Sequence, residues 1–225
     1  HITGCIQAII KQGDTVAAGH TAVKKLLGTN GIMVNAGTVG SVVNSATSVI
    51  ISDHGAGIQV QAGGTINNGV TNSGEISGGK YGIRVESQGQ IFGGITNSGT
   101  LSGTQAGIGI HGGTPYGQFA PSLFGSITNQ AGGQISAWNN GIDIFQAVIN
   151  GGITNEAGGT ISGQDGDGIH ISAQSTIIGD ITNSGTITGN DVYSAGIRIE
   201  QGSSVQGNIV NNGEITANTG IFIRM

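Results

Sequence analysis

Forty-five of the 225 residues are glycine and only two are proline, with no strict Gly-x-y period, which excludes collagen and argues against a Pro/Gly-rich disordered tract. Charged residues make up 8%, and the net charge of −5 is scattered without a basic stripe, so nucleic acid is not expected as a partner. No run of eighteen apolar residues and no secretory pattern occurs, so no membrane-spanning helix is expected and any export signal is expected to lie outside this sequence. Cys5 stands alone, offers no internal disulfide and fixes no redox compartment.

Residues 1–30 lack the markers that recur afterwards. Asp14 as an N-cap followed by Val16, His20, Val23, Leu26 and Leu27, with Gly28 as a stop, suggests a short helix, and 1–30 reads as an N-terminal cap or an irregular first rung. From residue 31 a phrase Gly-Ile-x-Ile/Val returns, first as Gly31-Ile32-Met33-Val34, then at Gly57, Gly82, Gly107, Gly141, Gly168 and Gly196, and last as Gly220-Ile221-Phe222-Ile223. Apolar residues at alternate positions describe a strand with one buried face.

A second phrase, a β-branched residue followed usually by Thr and then Asn, places Asn44, Asn72, Asn97, Asn129, Asn155, Asn183 and Asn211 at intervals of 28, 25, 32, 26, 28 and 28 residues. A third follows each Asn, as in Gly99-Thr100-Leu101-Ser102 and Gly185-Thr186-Ile187-Thr188. A period of this size is the mark of a stacked repeat. A strand-only unit cannot cover its own apolar stripe, but stacking on copies at ~4.8 Å satisfies the backbone and buries an Ile/Val/Leu column. The expected fold is all-β, a right-handed parallel β-helix (β-solenoid) over residues 31–225, with roughly seven to eight rungs of about 25–28 residues and three strands per rung. The Asn column is expected to be a structural ladder, facing inward or sitting at a corner where Asn tolerates left-handed backbone, with side-chain amides bonding from rung to rung.

One rung is oversized. Gly107 to Gly141 spans 34 residues where its neighbours span 24 to 28, and the surplus at 111–124 holds both prolines and three aromatics, Tyr116, Phe119 and Phe124. Insertions in solenoids map to loops, often on the working face. The plain alternative is that Phe119, Leu123 and Phe124 fold back onto the helix surface. On the Gly-Ile strands the outward positions form two columns, Gln59, Arg84, Gly109, Asp143, His170, Arg198 and Gln61, Glu86, His111, Phe145, Ser172, Glu200. Asp143 and His170 are then neighbours across about one ~5 Å strand spacing, with His111 diagonal on the preceding rung. His111, Tyr116, Phe119, Phe124, Asp143, Phe145 and His170 are therefore the candidate ligand or partner contacts.

Hydrolysis of glycans needs two carboxylates flanking one bond, and Asp143 meets a histidine instead, though Asp165 and Asp167 lie in the turn before His170. The run Gly163-Gln164-Asp165-Gly166-Asp167-Gly168 hints at a calcium turn, yet it occurs once where calcium-binding rolls repeat it. The Ser/Thr columns invite comparison with ice-ordering arrays, but Glu75, Gln134 and Glu214 interrupt them. No P-loop, HExxH, GxSxG or CxxC pair is present, so no enzyme activity, metal or cofactor is expected.

Phrases such as Gly94-Ile95-Thr96-Asn97-Ser98-Gly99-Thr100-Leu101-Ser102-Gly103 resemble passenger domains of bacterial autotransporters, over about residues 31–225. The resemblance implies a rod displayed at the bacterial cell surface by a C-terminal translocator barrel, which this sequence does not contain. It implies an adhesin or self-association module (cell aggregation, biofilm) whose partner is a host-cell surface glycan or protein, or another copy of itself. The rival readings are a polysaccharide-degrading β-helix enzyme and a non-binding structural stalk.

Overall fold

The computed structural model describes residues 14–18, 30–112 and 122–224. Among them every regular element is a strand, the pairings between coils are parallel, and the chain winds as a right-handed β-helix of about seven turns. Three sheets form the faces, each built from one of the three sequence phrases. In the second coil, Ala56–Gln61 lies on the Gly-Ile sheet, Val70–Asn72 on the Asn sheet and Glu75–Gly78 on what we call the hydroxyl sheet. Each phrase pairs with its own copy in register, for example Ile95↔Ile127 and Asn97↔Asn129. That is why near-identical repeats are needed: a one-residue slip would turn the whole inward set outward.

The coil has a fourth short strand that the phrases do not reveal. Thr65–Ile66, Gln90–Phe92, Ser122–Phe124, Val148–Ile149, Thr176–Ile177 and Ser204–Val205 form a second stack within the Asn sheet, joined to the first through the long strand Thr38–Asn44. The expected three strands per rung are thus three faces, one of them made of two strands. One coil then supplies five inward aliphatic side chains, Ile83, Val85, Ile91, Ile95 and Leu101, all with no exposed surface. They join the corresponding residues of the other coils in one continuous core. Truncating any of them to Ala is expected to cost about 2–5 kcal/mol, because the rigid coils above and below cannot collapse into the gap.

Corners are tight. A Cβ on Gly141 would lie 2.6 Å from the Gly168 carbonyl oxygen and 2.8 Å from the Ile161 methyl, so the first residue of the Gly-Ile phrase must be glycine for neighbouring coils to approach. Left-handed backbone, expected at the Asn positions, occurs elsewhere. Among non-glycine residues it falls after the Gly-Ile strands, at Ala36, Ala62, Ser87, Gln88, Gln146, Ala173, Gln174 and Gln201, and it also occurs at several glycines elsewhere in the coil. The Asn residues themselves sit in extended strands.

Near the N-terminus, Asp14–Ala18 is a strand paired in parallel with Thr38–Asn44, not the start of a helix. Backbone ladder bonds to the next coil override the helical spacing of Val16 and Val23. The remainder of the segment read as a cap lies outside the described residues.

Candidate functional site

The Asn column forms an unbroken ladder, buried from Asn44 to Asn183 and exposed at Asn211 on the last coil. Nδ2 of Asn44, Asn72, Asn97, Asn129, Asn155 and Asn183 each donates to Oδ1 of the next Asn at 2.8 Å. The same Nδ2 also reaches backbone carbonyls at the corner, as Asn72 does to Gly74 and Thr100. An amide is both donor and acceptor, so identical copies satisfy one another, which is the condition for polar groups at this depth.

The outward face of the Gly-Ile sheet carries the titratable groups. The register Arg84↔Gly109↔Asp143↔His170↔Arg198 places them on successive coils. His111 Nε2 stands 2.8 Å from Asp143 Oδ2, and His170 Nδ1 is 3.3 Å from Asp143 Oδ1. His170 Nε2 is 3.3 Å from Glu200 Oε1, so this imidazole is held between two carboxylates. Asn140 Nδ2 donates to Asp143 Oδ1 at 3.3 Å. The Phe145 ring lies beside His111, 6.1 Å between centroids, and is 39% exposed, forming the rim of the cluster.

Gly109 is what makes room for this arrangement. A Cβ there would meet Tyr81 Cδ1 at 2.7 Å, because the buried Tyr81 ring fills the empty place in the column. Tyr81 meets His111 edge to face at 5.4 Å and carries the Arg84 guanidinium 4.6 Å from its centroid. Burial raises the Tyr81 hydroxyl pKa; Arg84 opposes this, and Asp143 and Glu86 add to it. Burial also pushes the Asp143 carboxyl upward, but the hydrogen bonds and charges of His111 and His170 outweigh it and hold the group well below the usual carboxylate range. For His170 burial works downward, while the hydrogen bond and charge of Asp143, the charge of Asp167 and the hydrogen bond to Glu200 raise the imidazole on balance.

Of the candidate contacts, His111, Asp143, Phe145 and His170 thus come together. Phe124 does not: it stacks on Phe92 of the preceding coil on the Asn sheet, centroids 4.5 Å apart, with Leu123 in the core beside it. The plain reading of the oversized rung, packing onto the helix surface, fits Phe124, whereas Leu123 goes further and joins the core. Tyr116 and Phe119 lie outside the described residues.

Asp167, considered for a calcium turn or a second catalytic carboxylate, is tied up otherwise. Its oxygens accept from the Ala195 amide at 2.6 Å and from Arg198 Nε at 2.8 Å, and Arg198 also lies over the Phe222 ring. No group of three or more metal-ligating side chains occurs among the described residues.

Sequence spacing gave no reason to single out Trp138 or Tyr193, because neither belongs to a recurring phrase. Both occupy corners between the hydroxyl and Gly-Ile sheets, and their side chains are 53% and 82% exposed. Trp138 borders a shallow groove with serines of the hydroxyl sheet. No family model, curated protein or solved structure matches the chain.

Proposed function

We propose that the chain is a surface-displayed passenger of the autotransporter type, acting as an adhesin or a self-association module rather than as an enzyme. The observation that supports this best is the hydroxyl sheet. Across four successive coils its outward side chains are Thr100, Ser102, Gln134, Ser136, Thr160, Ser162, Thr186 and Thr188, in register and without a charge, over the fully buried Leu101, Ile135, Ile161 and Ile187. A stiff, uncharged, hydrogen-bonding face meets little electrostatic opposition from a partner surface. Each contact on such a face is weak and the array adds them. Binding to a host-cell glycan or protein, or to a second copy, uses the same chemistry. The His111–Asp143–His170 cluster with Phe145 at its rim offers a more specific contact on the neighbouring sheet. The engagement of both Asp143 and Asp167 by neighbouring side chains favours this reading over glycan cleavage.

Display of the chain on a non-adherent bacterium tests it. Clumping of the cells or attachment to host cells is the expected result. Equal surface density with neither behaviour overturns the reading and leaves the stalk.

A further inference from the structure

We infer that the corner between the hydroxyl and Gly-Ile sheets is a binding groove for a neutral, extended glycan chain running along the helix axis. This rests on the adhesive reading above and names a ligand class for one face of the rod. The groove has a volume of about 510 Å³ and is lined by Ser102, Ser136 and Ser162 from the hydroxyl sheet and by Trp138, Gln164 and Asn190 from the corner that follows it. Every one of these is uncharged, and together they present hydroxyls, amides and one indole. That combination fits a sugar ring, which has an apolar face for stacking and an edge of hydroxyls for donors and acceptors.

Among the described residues the Trp138 indole makes no hydrogen bond and no aromatic ring contact. A tryptophan is ordinarily highly buried, yet this one is 53% exposed at a corner where the equivalent positions hold Thr104 and Gln164. Two coils further along, the same corner is lengthened. Where Gly79–Lys80 or Thr104–Gln105 suffices in earlier coils, residues 190–194 intervene between Thr186–Gly189 and Ala195–Glu200. The extension is fastened from within: Arg198 Nη2 donates to the Tyr193 carbonyl at 2.5 Å while Nε of the same Arg holds Asp167, and the Tyr193 amide donates to Asp191. So a braced loop holds out a tyrosine that is 82% exposed.

The two aromatic corners are two strand spacings apart, about 10 Å along the axis. A glycan whose sugars advance by about one coil, ~4.8 Å, apiece would stack its first and third rings on Trp138 and Tyr193. Its hydroxyls would then follow the serine column, whose members face their copies on each coil. Asp165, exposed on the intervening corner with its amide bonded to the Trp138 carbonyl, disfavours anionic chains.

Trp138 is the sole tryptophan, so its fluorescence reports on this groove alone. The purified chain is titrated with cellohexaose and with N-acetylchitohexaose, with glucose and an oligogalacturonate as controls, and affinities are repeated by calorimetry. A saturable emission change with a neutral hexaose, and much weaker binding of the monosaccharide and the anionic chain, is expected. Trp138→Ala should weaken binding about tenfold and Tyr193→Ala about threefold, with Trp138→Phe restoring part of the loss. Unchanged far-UV circular dichroism is required of each variant. Absence of hexaose binding, or binding indifferent to Trp138, overturns the proposal, as does concentration-dependent dimerisation that Trp138→Ala abolishes while no hexaose binds. If displayed cells adhere although the purified chain ignores both hexaoses, the glycan groove fails and the adhesive reading stands. If hexaose binds but displayed cells neither clump nor attach, the reverse holds.

Discussion

The inner Asn column and the outer column of the Gly-Ile sheet obey the same stacking rule with opposite sequence consequences. Both place one residue per coil directly over the next. Inside, the residue is Asn seven times over, six of them buried, because an amide satisfies its own copy and most buried polar groups must be paired. Outside, the residues change at each step from Arg84 to Gly109, Asp143, His170 and Arg198. Like charges repeated at ~5 Å would repel by about 1–3 kcal/mol per step, so a charged column must alternate, skip or turn aside. Arg198 does the last. It follows His170 in the column but swings to Asp167, leaving His170 to Asp143 and Glu200. Uniformity is what burial selects and variety is what charge selects.

The comparison is broken most severely from inside. Asn129→Ala in the middle of the ladder leaves Nδ2 of Asn97 and Oδ1 of Asn155 without their 2.8 Å partners. Asn97 Nδ2 keeps the Gly99 and Gln134 carbonyls, so one buried orphan at about 1–3 kcal/mol and one lost bond at about 0.5–1.5 kcal/mol predict a loss of about 2–4 kcal/mol, read as a fall in the urea midpoint. A loss below about 1 kcal/mol, within the range of an ordinary surface substitution, would show that the ladder is decoration.

How much of this was visible in the sequence follows from the same contrast. The three faces and the Asn ladder were legible because near-identical phrases must stack in register. The adjacency of Asp143 and His170 followed from that register. The fourth strand was not legible: pieces such as Thr65–Ile66 and Val148–Ile149 hold one inward residue each, too short for an alternation to register. Nor was the role of Tyr81, which enters the charged column sideways through the gap at Gly109, or the Arg198–Asp167 pair, which crosses from strand to turn. Asp14–Ala18 misled because local helical spacing says nothing of a neighbouring coil that offers a ladder.

The outer column gives the next two tests, in falling order of effect. Gly109→Ala puts a methyl group 2.7 Å from the Tyr81 ring and should cost about 1–3 kcal/mol by overpacking. In a Tyr81→Ala background the same change should be nearly neutral, and a double-mutant cycle measures the coupling. Equal costs in both backgrounds would mean that the glycine serves the strand and not the ring.

The smallest effect is conditional on pH, and its sign follows from the two groups. Asp143 is held below its ordinary value, so its contribution is present above the unfolded-state pKa near 4 and disappears as pH falls through the lower folded value. His170 is raised, so its contribution is complete below the unfolded-state value of about 6.5 and disappears as pH rises through the higher folded one. The cluster therefore stabilises most in the window between about pH 4 and 6.5. Asp143→Asn removes the charge that both histidines face and one of the two acceptor oxygens, and should cost about 1–2 kcal/mol near pH 5.5, the lower part of the range for charged hydrogen bonds because the carboxylate is partly exposed. The difference in urea midpoint from the unaltered chain should narrow as pH rises past about 6.5 and through the raised folded-state value at which His170 loses its proton. A difference that stays flat from pH 5 to 9 would mean that the imidazole is not charged in the pair, and that the outer column, like the inner one, is held by neutral hydrogen bonds.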